Sequence, residues 1–243
     1  MLKIVFCEVI RFGIINLIST NAITMKEYKN SALVRKELIS PAYYDQFFNY
    51  LSSISSGSIQ YRTHLKDKLT GYYSKRNPYL LKADEICDKC WFISKGIVFA
   101  FYYDQNHGFS VHTIFEAGEI AMLPDSFMTG EPGNVFLMAC PDTHLLEINA
   151  VDVEDIYEQY PERERITEMI LAYQGRKYQE RDRLLRFIGK DLVIEFYRVF
   201  PGLQLTDKKM IMQKVISSYL MLSGPRLSKL RREIMDEQEL QLV

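Results

Sequence analysis

The sequence predicts an α+β fold: an antiparallel β-roll of the jelly-roll kind, one long helix, and a C-terminal helix-turn-helix with a reduced or absent wing. Three observations lead there. Short apolar runs recur between turn signals from Tyr79 to Asn149. Beyond Asp152 the hydrophobic period becomes helical and is sustained from Arg165 to Ile188. Two short apolar-faced segments, Val215–Leu220 and Pro225–Ile234, then flank a tight break at Met221-Leu222-Ser223.

Each element has its own reason. Met1 to Thr20 is apolar, but Lys3, Glu8 and Arg11 interrupt it, so it reads neither as a membrane span nor as a clear signal peptide. It is expected to be a leader with Met25 as the working start, or else an amphipathic packing helix. Pro41 to Ser53 carries Tyr43, Tyr44, Phe47, Phe48 and Leu51 at helical spacing. Residues 59–78 are polar and basic and read as helix followed by loop. Strands are expected at Tyr79–Lys82, Ile86–Cys87, Cys90–Ser94, Ile97–Tyr103, Phe109–Phe115, Val135–Cys140 and Leu145–Asn149, with Lys95-Gly96 as a tight hairpin. Asp152–Tyr160 is a short helix stopped by Pro161.

The helix from Arg165 to Ile188 has Ile166, Met169, Ile170, Tyr173, Leu184, Leu185 and Ile188 as its apolar positions, and Gly189 ends it. A small roll cannot cover so long a stripe, which points to a dimer seam. Asp191–Phe200 forms the next helix, stopped by Pro201.

In the terminal hairpin, Val215, Ile216, Tyr219 and Leu220 share one face. Ser223 can cap the second helix, and Pro225 has no N–H to waste in its first turn. That helix buries Leu227, Leu230 and Ile234 and turns Arg226, Lys229 and Arg232 outward. From Asp207 to Glu233 there are seven Lys or Arg against two acidic residues, in a chain of net charge −1. A local basic patch on a near-neutral protein suits contact with phosphates.

The 243 residues suffice for two modest domains, and 47% hydrophobic with 25% charged residues is ordinary for a globular protein. A pI near 6.5 excludes a general nucleic-acid coat but permits a reader with one binding patch. Cys7, Cys87, Cys90 and Cys140 make no disulfide framework, which fits a reducing cytoplasm. Cys87-x-x-Cys90 has metal spacing but no second ligand pair, so these are read as structural thiols.

The motif order resembles the Crp/Fnr family of transcription regulators over about residues 43 to 234. Tyr79-Leu80-Leu81-Lys82-Ala83-Asp84-Glu85 is similar to the family's entry to its cyclic-nucleotide-binding roll. Trp91-Phe92-Ile93-Ser94-Lys95-Gly96-Ile97-Val98 is similar to its hydrophobic-Phe-Ile-x-x-Gly hairpin. Phe200-Pro201, Ile216-Ser217-Ser218-Tyr219-Leu220 and Leu227-Ser228-Lys229-Leu230-Arg231 are similar to its DNA reader. The resemblance implies an N-terminal extension at 1–40, a sensor roll at 41–160, a dimerisation helix at 161–190 and a DNA-binding domain at 191–243.

It further implies a cytoplasmic homodimer, not an enzyme, whose partners are double-stranded DNA and RNA polymerase, with no membrane partner. Arg226, Ser228 and Lys229 would read bases, Arg232 and Lys214 would contact phosphates, and Ser223 would complete the reader.

The sequence departs from the family at three points. Gly118-Glu119 matches the nucleotide-binding Gly-Glu pair, with Ser126 nearby as a further ligand candidate. Yet Leu123 to Asn134 offers no arginine to grip a cyclic phosphate, so cyclic nucleotide is not expected as a cofactor. An unknown small effector stays open. Met221 stands where relatives place a glycine of positive φ, and little chain follows Arg232 for a wing. Two other readings remain. One is a ligand- or protein-binding signalling module whose reader has decayed. The other is a cupin-type enzyme with His107, His112 and Glu116 on a metal.

Overall fold

The computed structural model describes residues 32–36, 38–54, 58–103, 105, 108–160, 163–203 and 210–241. The leader segment, Cys7 and His107 lie outside the described residues.

Two antiparallel sheets form the roll. The first runs in the order β1 (Leu33–Lys36), β2 (Thr70–Ser74), β9 (His144–Asn149), β4 (Lys89–Lys95) and β7 (Ile120–Ala121). The second runs β3 (Tyr79–Leu81), β8 (Phe136–Ala139), β5 (Ile97–Tyr103) and β6 (Phe109–Glu116). Three strands, β1, β2 and β7, go beyond the sequence expectation, and Ile86–Cys87 forms none. β2 pairs with both β1 and β9, so it is an internal strand although Thr70-Gly71-Tyr72-Tyr73-Ser74 reads as polar.

Lys95-Gly96 is a corner rather than a hairpin. β4 pairs with β7 and β9, whereas β5 pairs with β6 and β8, so the chain crosses from one sheet to the other at Gly96. Gly96 has φ +93°, and a Cβ there would meet Thr143 at 2.5–2.9 Å. Thr143 fills that corner itself: its Oγ1 accepts from Ile97 N and donates to Ile97 O, both at 3.1 Å. Only glycine satisfies both the backbone and the close approach.

Crossing at the corner leaves β5 buried on both faces. Val98 and Ala100 join Trp91, Ile93, Phe115, Leu137 and Leu145 in the roll interior. Phe99 and Phe101 point the opposite way, into a cluster built with the C-terminal helices. The period-two alternation of a strand thus serves two cores at once.

Helices cover the other faces. α1 (Pro41–Ile54) lays Phe47, Phe48 and Leu51 on the first sheet, with Phe47 5.0 Å from the Phe92 ring. α2 (Ile59–Lys68) is capped by Ser58, which accepts from Tyr61 N at 3.1 Å. α3 (Pro124–Thr129) follows β7, and α4 (Ala150–Gln159) follows β9, capped by Asn149. α5 (Arg163–Leu184) is the long helix, α6 spans Gly189–Val199, α7 Met210–Tyr219 and α8 Gly224–Gln241.

The long helix therefore stops at Leu184, short of Ile188, and Gly189 opens α6 instead of closing α5. Its apolar stripe is also covered within the chain. Ile166 and Ile170 pack with α1 and the first sheet, and Leu184 joins the C-terminal core; of that stripe on the helix, only Met169 faces solvent. No helix of the described residues is long and apolar enough to cross a membrane.

Candidate nucleic-acid interface and the roll interior

The expected reader starts from α7, whose Val215, Ile216, Tyr219 and Leu220 are all buried. They pack on Phe99, Val111, Phe196, Leu227 and Leu230 in one cluster. Each fully buried large apolar side chain contributes about 1.5–3 kcal/mol, so this contact holds the helix firmly. Ser218 adds a polar pin. Its Oγ accepts from Val111 N at 2.8 Å and donates to Phe109 O at 2.9 Å, satisfying the free edge of β6.

α7 ends in a Schellman turn. Leu222 N donates to Ser217 O at 2.8 Å and Met221 N to Ser218 O at 3.1 Å. Met221 sits at the C′ position with φ +56°, the left-handed conformation in which a side chain crowds the backbone. Its side chain projects into solvent, 76% exposed. Ser223 then caps α8: its Oγ accepts from Arg226 N at 3.3 Å and its carbonyl from Leu227 N at 3.0 Å.

α8 is divided lengthwise. Leu227, Leu230 and Ile234 are buried, while Ser223, Arg226, Ser228, Lys229 and Arg232 are exposed. Lys229 has a weak partner in Glu233 at 3.8 Å, one turn on. Arg231 faces inward, donating to the Tyr197 hydroxyl and lying over its ring at 5.5 Å. Lys214 on α7 is exposed with its ammonium over the Phe109 ring at 4.4 Å. Beyond Arg232 the charge turns acidic with Glu233, Asp236 and Glu237, so the cationic surface is confined to the first turns. Among the described residues α8 continues to Gln241 and no strand follows it.

In the roll, Gly118 turns at φ +92° and donates to Ile93 O at 2.7 Å. Glu119 does not face the interior. It bonds the Tyr173 hydroxyl, accepts from Glu116 N at 2.9 Å, and pairs with Lys177 at 2.6 Å, tying the β6–β7 turn to α5. Burial, with Glu119 beside it, raises the Glu116 carboxyl pKa; Lys177 opposes the rise. Ser126 is buried and occupied as well, accepting from Cys87 N at 2.9 Å and donating to Glu131 O at 2.6 Å. Gly118 and the Glu119 carbonyl both bond the Ile93 backbone, Ser126 bonds elsewhere, and the interior between the sheets is packed with apolar side chains.

Burial pushes the thiols of Cys87 and Cys90 up to about 11 and about 12, which keeps both neutral. His112 lies between the Tyr102 and Tyr178 rings, with Nδ1 2.8 Å from Thr113 Oγ1; burial first, then Arg181, lowers its pKa to about 4. Among the described residues no three His, Cys, Asp or Glu side chains converge as metal ligands.

Sequence reasoning missed the α5 side chains that join the roll to α7. Tyr173 and Lys177 hold Glu119, and Arg181 donates to Tyr219 O at 3.2 Å. Their spacing of four residues places them on one helical face, which was the available signal.

No family model and no curated protein matches the sequence. Solved structures do. A transcriptional regulator described as of the Crp/Fnr family, from Eubacterium rectale, aligns over 78% of this chain and 88% of its own, with 14% identity and a TM-score of 0.58. FixK2 from Bradyrhizobium japonicum aligns over 70% and 85%, with 14% identity and a TM-score of 0.56. A cyclic nucleotide-binding domain from Methylobacillus flagellatus aligns over 65% and 92%, with 19% identity and a TM-score of 0.53. The chain therefore has the fold of the Crp/Fnr regulators, with their cyclic-nucleotide-binding type of roll.

Proposed function

We propose that the protein is a homodimeric, sequence-specific DNA-binding transcription regulator whose roll does not take cyclic AMP. One observation carries the reading. A capped helix, fixed by three buried apolar residues, offers Arg226, Ser228, Lys229 and Arg232 to solvent on its opposite side. That is the geometry a major groove accepts, with the first turns of the helix reaching base edges. Arg226, Ser228 and Lys229 are assigned to bases, Arg232 and Lys214 to phosphates.

The filled roll and the diversion of Glu119 to α5 support the absence of a cyclic nucleotide. For the dimer, the outward side of α5 supplies Met169, Ala172, Gly175, Arg176 and Gln179, all exposed. This seam is small and polar, so the pair should be held less tightly than an apolar coiled coil.

Selection from random duplexes tests the reading. The full chain should enrich a palindrome with half-sites about one helical turn apart. A pool that enriches nothing would defeat it. That result would favour a second reading, a signalling module with a decayed reader, which the strained Met221 and the donor-poor Gly224-Pro225 start of α8 support.

A further inference from the structure

The roll interior is packed with apolar side chains, yet among the described residues an apolar space remains open outside it. It lies between the outer face of the first sheet and the helical layer, with a volume of about 80 Å³. Phe47 and Leu51 of α1, Leu65 of α2, Ile148 of β9, Ile156 of α4 and Ile170 of α5 supply its main walls. Its surface is almost wholly carbon, and the thiol among its lining groups, Cys90, is neutral. An unfilled space of this kind weakens the fold, because the wall atoms lack dispersion partners on one side. Water gains little there for want of polar partners.

We infer that this cavity is a binding site for a short aliphatic group. The lining disfavours ions and strong hydrogen-bonding ligands, since Tyr61 and Tyr157 leave its surface almost wholly carbon and little there would offset their desolvation. The volume is about half of the ~150 Å³ that admits benzene, and suits about three water-sized groups. A propane-sized molecule, or the tip of a longer acyl chain, fits that description. The site also borders α5. Ile166 and Ile170 belong to the helix that carries Tyr173 and Lys177 to Glu119 and Arg181 to α7, so an occupant presses on the element joining roll and reader.

Isoleucine-methyl NMR of the full chain, titrated separately with cyclopropane, xenon and hexanoate, tests this. The methyls of Ile148, Ile156 and Ile170 should shift while Ile93 and the Trp91 indole, inside the roll, stay still. Response to cyclopropane and xenon but not hexanoate identifies a free small molecule; response to hexanoate, displacing xenon, identifies an acyl tip. Ile156→Phe should fill the space and weaken binding at least tenfold. Should that variant not fold, xenon displacement in the native chain decides. At ten times its Kd a ligand multiplies the folding constant by about eleven, so the midpoint of thermal unfolding should also rise. Silence of the three methyls with every probe overturns the inference, as do shifts centred on Ile93 or undiminished binding to Ile156→Phe. The measurement uses protein alone, so its outcome is separate from that of the duplex selection.

Discussion

Replacing Met221 with glycine should stabilise the protein, which is unusual for a change that removes a whole side chain. Met221 holds φ +56° in a Schellman turn. An L-residue in the left-handed region costs about 1–2 kcal/mol, and glycine escapes that cost. Glycine in turn adds freedom to the unfolded chain, which takes back about 0.4–1 kcal/mol. The methionine side chain is 76% exposed, so its loss leaves no void.

The net gain should be about 1 kcal/mol, or a rise of about 2–4 °C in Tm for a chain of this size. Urea unfolding followed by circular dichroism measures it, with an unchanged m-value. Met221→Ala is the control, since alanine keeps the backbone penalty and should lie within about 0.5 kcal/mol of the native protein. Equal gains from glycine and alanine would show that the side chain, and not the backbone, is responsible. A loss on going to glycine would refute the strain outright.

Lys229→Ala should weaken binding to the selected palindrome by about 1–3 kcal/mol and relax its sequence preference, measured by gel shift. Arg232→Ala should weaken all duplexes alike and lower the salt slope by about 1; equal losses of specificity from both would reverse these assignments. Phe99→Ala should cost about 3–5 kcal/mol, and Trp91 fluorescence and helical circular dichroism should still lose structure together. Separate transitions would show that the roll and the C-terminal helices do not share a core.

His112 sets a pH dependence. Its pKa is lowered in the fold from 6.5 to about 4, so the unfolded chain binds the proton first. Its contribution is fully present above pH 6.5 and is lost as pH falls toward 4, and His112→Gln should flatten stability across that window.

Periodicity made the C-terminal helices legible. Leu227, Leu230 and Ile234 lie inside and Arg226, Lys229 and Arg232 outside, as a 3.6-residue repeat requires. Ser223 was legible because capping is local chemistry between neighbours. Met221 was legible as a site of strain because the turn demands a backbone sign that only glycine adopts freely.

Pairing was less so. Lys95-Gly96 announces a reversal, but a turn signature does not say whether the flanking strands bond each other or two different sheets. β2 and β7 were missed because a strand's neighbours, not its own polarity, decide that it is a strand. The dimer argument from the apolar stripe of α5 also needed partners in space, and Ile166, Ile170 and Leu184 find theirs within the chain. Glu119 read as half of a nucleotide-binding pair; that Tyr173 and Lys177 would meet it is a tertiary fact some fifty residues away in the chain.

β5 is a party wall, and this bears on how the protein can change over generations. Neighbouring codons answer to different tenants: Val98 and Ala100 to the space between the sheets, Phe99 and Phe101 to the helices behind. Swapping the C-terminal helices for those of a related protein would strip two phenylalanine rings of their cover. A working chimera would need its crossover accompanied by new residues at alternate positions of this one strand.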